Sequence, residues 1–257
     1  MQQNKFHRIY VNNHISVNNK LKVDSNIVNH IKNVLRIRHN EKIIVFNGDG
    51  KEYIAEVHHE EELIILIKSE NPLREIDAHK IILAQCIPSA KHMDLAIQKS
   101  VEIGINEITP IISERSHPGD HKKKKIHWEN IIVGATEQSN GLFLAKLNNT
   151  TTLKEFLDEV DKDDAQKICF HMSGRKINQL DKNFQSHIIL IGPEGGFSKE
   201  EIDLVERYNW NIISLGDRIL RTETASMVAQ TILRDCLLYT SDAADDSLRV
   251  DLGGRRI

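Results

Sequence analysis

The sequence has little cysteine and no long hydrophobic run. Its three cysteines, Cys86, Cys169 and Cys236, are isolated from one another and from histidine at metal-ligand spacing. Their isolation argues against both a disulfide framework and a zinc site. Apolar runs such as 63–67 are strand-sized, far short of the ~20 residues of a membrane-spanning helix. No secretion signal precedes the first strand, so we expect a cytoplasmic protein without a membrane segment.

Positive charge is concentrated near the N-terminus. The whole chain has a net charge of -3, yet residues 1–42 carry eight Lys and Arg against two acidic residues, a net charge of +6. This asymmetry is typical of a surface that binds a phosphate backbone. A solvated surface is the alternative that charge alone leaves open. The HKKKK run at 121–125 is predicted to be a mobile basic loop, with the same two alternatives.

The N-terminal part alternates in the manner of short strands. Four segments predict strands: 6–11, 42–46, 52–57 and 63–68. The NGDG sequence at 47–50 predicts a tight turn between two of them. A helix that begins at Asp24 or Ser25 interrupts the strands. These elements predict a small β-barrel-like domain over residues 1–70, with a linker over 69–77.

Strand and helix patterns alternate over residues 77–238. The pattern predicts strands at 81–87, 108–112, 167–171, 187–191 and 211–215. It predicts helices at 93–103, 128–139, 153–160 and 199–208, and a last one from about 224. Such alternation is typical of an α/β domain with a mainly parallel sheet and helices on both faces.

Residues 239–257 differ from the rest of the chain. The segment YTSDAADDSLRVDLGGRRI loses the Ile, Lys and Asn bias and has no sustained helical or strand period. It resembles translated read-through of a cloning or sequencing adapter, so we expect a non-native or disordered tail. A natural polar tail is the alternative.

Two glycine-containing segments lie where a predicted strand is followed by a helix. The first is GPEGGFS at 192–198, where Ser198 and Glu201 predict a capping box. The second is LGDRILRTETA at 215–225, in which Glu223 is expected to serve as a negative charge at a helix N-terminus. Neither segment contains G-K-[ST] or G-x-G-x-x-G, which disfavours ATP and NAD. Because both follow parallel strands, they are predicted to form one pocket at one sheet edge.

This pair of segments resembles the RsmE-type family of 16S ribosomal RNA uracil-N3 methyltransferases, in the SPOUT superfamily. Arg8 and four further segments extend the resemblance over about 6–235: HIKNVLR at 30–36, QKSVEIG at 98–104, ERS at 114–116 and ATEQS at 135–139. The resemblance implies a SPOUT-type knotted, mainly parallel α/β domain, an N-terminal PUA-like β-barrel, and a homodimer. It also implies methylation of N3 of a specific uridine in 16S ribosomal RNA, within the small ribosomal subunit.

The resemblance further implies the cofactor and its binding residues. The methyl donor would be S-adenosylmethionine, contacted largely by backbone. The implied cofactor-binding residues are Met172, Leu190, Gly192, Gly195, Leu215, Gly216, Leu220 and Ala225. Residue 141 departs from the family, which usually has an arginine after this EQSN sequence, whereas this chain has Gly141. Arg115 or Arg221 could replace the missing cation.

Chemistry suggests roles for two other residues. Uracil N3 must lose a proton before it attacks the methyl group, so a base or a cation that stabilises the anion is required. We expect Glu137 to act as the base and Arg221 as the cation. Basic residues expected to contact RNA are Arg8, Lys32, Arg36, Arg38 and Arg115.

Three other functions remain open at this point. A SPOUT methyltransferase could act on the ribose 2'-hydroxyl of RNA instead of a base. A non-catalytic RNA-binding protein could keep this fold for ribosome assembly, although it would have no need of a cofactor pocket. A nicotinamide or nucleotide enzyme is the third alternative.

Overall fold

The computed structural model describes residues 6–72, 79–117, 119, 121–176 and 184–235. The predicted tail at 239–257, most of the predicted linker, and Cys236 lie outside the described residues. The chain divides into two compact units: residues 1–76 with 133–144, and residues 77–132 with 145–257. Within the described ranges, no helix combines the length and the apolar character needed to cross a membrane.

The first unit is built on a five-stranded sheet with the order β1-β3-β4-β5-β2. Its strands are β1 His7–Tyr10, β2 Lys20–Lys22, β3 Lys42–Phe46, β4 Glu52–His59 and β5 Leu63–Glu70. Only the β1–β3 pairing of this sheet is parallel. Alternate residues of β4 and β5 are buried, as the sequence pattern predicts for a sheet with one face on a core.

One helical segment packs on this sheet. The Asp24 carboxylate caps helix α1, Ser25–Asn29, and accepts hydrogen bonds from the backbone of Asn26 and Ile27. The helix then widens into a π-helical turn, His30–Val34. Ile31 is fully buried in this turn and lies in the same core as Ile43 and Ile65. Burying each such side chain contributes roughly 1.5–3 kcal/mol, so this core holds the helix on the sheet.

The second unit contains a seven-stranded, fully parallel sheet. Its strand order is β12-β10-β11-β6-β7-β8, with β9 also paired to β7. The strands are β6 Lys80–Cys86, β7 Glu107–Ile112, β8 Lys146–Leu147, β9 Thr151–Thr152, β10 Gln166–Lys176, β11 Ser186–Ile191 and β12 Asn211–Ser214. The predicted parallel sheet is confirmed. The two short strands β8 and β9 were not predicted, because two residues are too few to show a period.

Helices cover this sheet on both faces. They are α2 Ala90–Ile103, the first part of α3 Lys125–Gln138 up to residue 132, α4 Leu153–Val160, α5 Lys199–Arg207, and α6, which spans residues 222–235 of the described chain. The core on one face includes Ala84, Phe156 and Val205. Gln85, which alternation places on the opposite face, donates a hydrogen bond to Thr222 of α6.

Local signals predicted the helix ends well, with exceptions. The capping box of Ser198 and Glu201 is present, and Gly104 ends α2 in a left-handed conformation with a φ of 98°. The prediction of a loop for the HKKKK run was wrong, because residues 121–124 form a 3-10 helix that leads into α3. The knot expected for this domain stays a prediction.

Candidate active site

A cavity of about 520 Å³ lies at the carboxyl ends of the parallel strands in the second unit. Its walls come from the end of β10, the loop 192–197 after β11, the segment 215–222 after β12, and the start of α2 and α6. This is the edge at which open α/β sheets bind ligands. The volume is within the range of small-molecule and cofactor sites.

The loop after β11 is shaped by close backbone contacts. A Cβ on Gly192 would lie 3.0 Å from the Phe197 ring, so a larger residue would displace that ring. Gly196 has a φ of 66°, a left-handed conformation that favours glycine. The Arg115 guanidinium donates hydrogen bonds to the carbonyls of Gly195 and Phe197 at 3.0 and 3.5 Å. The loop is therefore held in one shape by contacts from outside it.

Thr222 joins three elements at the floor of the cavity. Its hydroxyl donates to the Gly192 carbonyl at 2.6 Å and accepts a hydrogen bond from Gln85 Nε2 at 2.9 Å. All three residues belong to different elements, namely α6, the loop after β11, and β6. Further along α6, Gln230 donates to Ser100 of α2 at 2.7 Å. These hydrogen bonds fix the first turn of α6 beside the loop.

A histidine and two carboxylates lie together in the cavity wall. Glu194 Oε1 lies 2.5 Å from His92 Nδ1, and Glu194 also accepts hydrogen bonds from the hydroxyl and backbone N–H of Ser89 at 2.7 and 3.2 Å. Burial alone would raise the pKa of Glu194, but these hydrogen bonds outweigh it and hold the pKa below its usual value. Glu223 Oε1 lies 4.0 Å from His92 Nε2 on the other side of the ring.

The cavity contains most of the predicted cofactor-binding residues. Those that line it are Met172, Gly192, Gly195, Leu215, Leu220 and Ala225. Among the described residues, Leu190 and Gly216 were predicted but do not line it. Leu190 is fully buried in β11, and Gly216 has a φ of 120° at the turn after β12. The two glycine-containing segments thus meet in one cavity.

The two residues expected to be catalytic belong to different units. Arg221 is exposed and lines the cavity of the second unit. Glu137 belongs to the first unit, where its Oε1 accepts a hydrogen bond from the Tyr10 N–H at 2.8 Å and its Oε2 lies 3.9 Å from His30 Nε2. Burial raises the pKa of Glu137, against the opposing effects of Tyr10, His30 and Arg8.

The basic residues expected to contact RNA fall into two groups. Lys32, Arg36 and Arg38 are exposed on the π-helical turn and the segment after it. Arg8 is buried, with a side chain that is 4% exposed, and is paired with the Glu52 carboxylate and the Gly141 carbonyl. Its guanidinium also lies 4.7 Å from the centre of the Phe46 ring. The structure therefore gives Arg8 a packing role, as it gives Arg115 a loop contact.

Three residues of the cavity were missed by sequence reasoning. His92 and Glu194 received no role, and Glu223 was expected only as a helix-end charge. The junction 87–90 between β6 and α2 carried a usable signal, because the carboxyl end of every parallel strand lies at the same edge. Together with the junctions that follow β11 and β12, this junction would have predicted that the start of α2 lies beside the loop 192–197.

Two buried cysteines of the second unit are unreactive. Cys86 and Cys169 are buried free thiols, and burial raises the pKa of each. Both are therefore protonated at neutral pH and unsuited to nucleophilic attack. Within the described ranges, no group of three or more His, Cys, Asp and Glu side chains is arranged to hold a metal ion.

Two family models match this chain. The RNA methyltransferase PUA domain matches residues 23–68, and the RNA methyltransferase domain matches residues 75–234. The second match alone covers more than half of the chain. Both matches agree with the order of the two folds, a small mostly antiparallel sheet followed by a parallel α/β sheet.

Relatives and solved structures give the same assignment. Ribosomal RNA small subunit methyltransferase E of Buchnera aphidicola (Schizaphis graminum) is 34% identical over 88% of this chain and 95% of its own, and that of Mesomycoplasma hyopneumoniae is 36% identical over 79% and 89%. The Neisseria gonorrhoeae enzyme bound to S-adenosyl methionine has a TM-score of 0.84 at 31% identity, covering 90% of this chain and 98% of its own. A Legionella pneumophila methyltransferase in complex with the same cofactor has a TM-score of 0.84 at 32% identity, with the same coverage. The chain belongs to the ribosomal RNA small subunit methyltransferase E family.

Proposed function

We propose that this protein transfers a methyl group from S-adenosylmethionine to N3 of a specific uridine in 16S ribosomal RNA. The observation that carries the proposal is the cavity formed by the loops after β11 and β12, in a chain of this family. Family membership supports the methyl donor and the ribosomal RNA substrate. The choice of N3 rests on the sequence resemblance.

The cavity fits S-adenosylmethionine in size and chemistry. Its apolar wall includes Phe170, Met172, Leu215 and Leu220, which suits an adenine ring. The glycine loop brings backbone close to the cavity, where added Cβ atoms would crowd Phe197 or Arg115. The buried Glu223 carboxylate supplies a negative charge for a cofactor that carries positive charge. These features support the six predicted cofactor-binding positions that line the cavity, whereas Leu190 and Gly216 rest on the sequence resemblance alone.

When bound, S-adenosylmethionine supplies an electrophilic methyl group on a sulfonium. The uracil N3 lone pair forms the new N–C bond, and the electron pair of the C–S bond goes to sulfur. Most of the acceleration then comes from orientation of the two reactants and exclusion of water. Arg221, exposed at the cavity, is our candidate for stabilising the negative charge that develops on the uracil when N3 loses its proton.

Glu137 is our candidate for the base that accepts the N3 proton. A base works best when its pKa is close to the working pH, and burial shifts the pKa of Glu137 upward, in that direction. Within the described part of the chain, the one partner given for its Oε2 is the distant His30 at 3.9 Å, so this oxygen can accept a further hydrogen bond. We propose RNA contacts for Lys32, Arg36 and Arg38, which are exposed, whereas Arg8 and Arg115 already donate hydrogen bonds to other parts of the protein.

We also propose that the protein acts as a homodimer on the small ribosomal subunit in the cytoplasm. The resemblance to the family supports this assembly and substrate form. Size-exclusion chromatography with light scattering tests the dimer. A comparison of free 16S RNA with small subunits as methyl acceptors tests the substrate form.

The decisive experiment is methyl transfer from labelled S-adenosylmethionine to small subunits that lack the modification, followed by nucleoside analysis. Label in 3-methyluridine supports the proposal. Label in a 2'-O-methylated nucleoside contradicts the base as target. Cofactor binding without any transfer favours a non-catalytic assembly protein. Glu137→Gln and Arg221→Ala should each lower turnover at least about a hundredfold while cofactor affinity stays within a few-fold.

A further inference from the structure

Glu223 is a buried carboxylate with an incomplete set of partners. It is 5% exposed in the first turn of α6 and lines the cavity. Its Oε1 lies 4.0 Å from His92 Nε2, and its Oε2 is buried without a hydrogen-bond partner among the described residues. A buried carboxylate oxygen without a partner costs free energy unless a ligand meets it. A bound ligand would therefore be expected to supply a cation or a hydrogen-bond donor to this oxygen.

The neighbouring carboxylate is already satisfied. Glu194 accepts two hydrogen bonds from Ser89 and lies 2.5 Å from His92, and its side chain is 42% exposed. Its negative charge is thus balanced by the protein and by water. Among the described residues, the Glu223 carboxylate meets only the far side of the same imidazole, at 4.0 Å, so most of its charge remains uncompensated.

The cations at this cavity differ from Glu223 in burial. Arg218 and Arg221 line the cavity but are exposed, so water and salt screen their charges. A buried charge acts through a medium of lower effective dielectric and is screened far less. The dominant unscreened charge that the described residues present to the cavity is therefore negative.

We infer that Glu223 recognises the sulfonium charge of S-adenosylmethionine and makes the cavity prefer the methyl donor over its by-product, S-adenosylhomocysteine. The inference rests on the proposed function. Methyl transfer converts the sulfonium into a neutral thioether, because the electron pair of the C–S bond stays on sulfur. The attraction to Glu223 is lost with that charge, while the adenine, ribose and amino-acid groups are unchanged. Exchange of spent cofactor for fresh donor is therefore favoured.

Titration calorimetry of both ligands tests the inference. Glu223→Gln keeps the size of the side chain and removes its charge. The Kd for S-adenosylmethionine should rise about tenfold, whereas the Kd for S-adenosylhomocysteine should change less than about twofold. Glu194→Gln is the matched control, since it removes a carboxylate from the same cavity whose charge is already balanced. That variant should leave the ratio of the two Kd values unchanged.

Each other outcome overturns the inference. Equal weakening of both ligands by Glu223→Gln would mean that Glu223 binds a group common to them or only shapes the cavity. Unchanged affinities with loss of methyl transfer would place Glu223 at the uracil instead. Retained binding of S-adenosylhomocysteine shows that the variant is folded. If the unaltered protein binds neither ligand, the proposed function itself fails, which this design separates from failure of the charge selection alone.

Discussion

Thr222 shows how a single hydroxyl can organise the candidate active site. It donates to the Gly192 carbonyl and accepts from Gln85, so it connects the glycine loop, β6 and α6. The sequence marks this position only as part of an RTETA segment. Its importance comes from the two partners, which lie 30 and 137 residues away along the chain.

Thr222→Val should therefore destabilise the protein and loosen the cavity. The substitution keeps the shape but leaves the half-buried Gly192 carbonyl without its donor and the buried Gln85 amide without this acceptor, which costs about 1–3 kcal/mol. Chemical denaturation should show this loss, and calorimetry should show weaker binding of S-adenosylmethionine and S-adenosylhomocysteine alike. Thr222→Ser, which keeps the hydroxyl, is the control. Equal stability of the valine and serine variants would contradict this role.

His187 is a second residue whose environment has a measurable consequence. It is 1% exposed in β11, and burial, with a smaller effect of His79, lowers its pKa from 6.5 to about 4. The folded state therefore resists protonation, whereas the unfolded chain accepts a proton near pH 6.5. The stability associated with His187 is complete above pH 6.5, decreases as the pH falls, and is lost below about pH 4.

We expect this effect to reach about 3–4 kcal/mol, since each pKa unit corresponds to about 1.4 kcal/mol. Urea unfolding at several pH values between 7 and 4 would measure it. In His187→Leu the other titrating groups are unchanged, so the difference in pH dependence between the two proteins isolates His187. Parallel curves for the two proteins over this interval would refute the assignment.

At the scale of elements, the end of α3 and the segment after it belong to the first unit. Residues 133–144 are held there by contacts with β1: Tyr10 N–H donates to Glu137, and Arg8 donates to the Gly141 carbonyl. Arg8 also pairs with Glu52, whose side chain is 11% exposed. Arg8 thus connects β1, β4 and this segment.

Arg8→Ala should cost about 1.5–3 kcal/mol of stability, because it removes a mostly buried ion pair with Glu52, the hydrogen bond to the Gly141 carbonyl and the contact with the Phe46 ring. Lys32→Ala, at an exposed position, is the control and should change stability by less than about 0.5 kcal/mol. Filter binding of RNA by both variants distinguishes a residue that contacts RNA from one that stabilises the fold. Lys32→Ala should weaken RNA binding and reduce its salt dependence, whereas a fully stable Arg8→Ala protein with weakened RNA binding would restore Arg8 as an RNA contact.

At the scale of the whole molecule, the first unit is discontinuous in sequence. Its 1–76 portion is complemented by residues 133–144, which follow a long excursion of the chain through the second unit. A fragment that contains only residues 1–76 lacks Glu137 and the Gly141 carbonyl, the partners of Tyr10 N–H and Arg8. Phe143 is lost as well, and its ring lies against Gly50.

We therefore expect the 1–76 fragment to be markedly less stable than the same unit in the full chain. Hydrogen exchange of the amides of β3 and β4, measured in both proteins, would show protection reduced by at least about a hundredfold in the fragment. Adding a peptide of residues 133–144 to the fragment should restore part of the lost protection. Equal protection in fragment and full chain would show that the 133–144 segment contributes nothing to the stability of this unit.

Local physics made much of this protein predictable from its sequence. The buried strands appear as short apolar runs, Gly104 and the box of Ser198 and Glu201 mark helix ends, and the alternation of elements predicts the parallel sheet. The two glycine-containing segments were identifiable because tight turns and close backbone approach require glycine. These signals depend on neighbours within a few residues, so the order of residues alone determines them.

Tertiary structure alone decided the contacts between distant parts of the chain. It paired Gln85 with Thr222, brought His92 between Glu194 and Glu223, buried Arg8 against Glu52, and joined residues 133–144 to the first unit. No local period records such contacts, because they depend on which strands become neighbours in the sheet. The sequence does not show whether a charged residue such as Arg8 or Glu223 is exposed to solvent or buried. Only the fold determines which of the two environments the residue has.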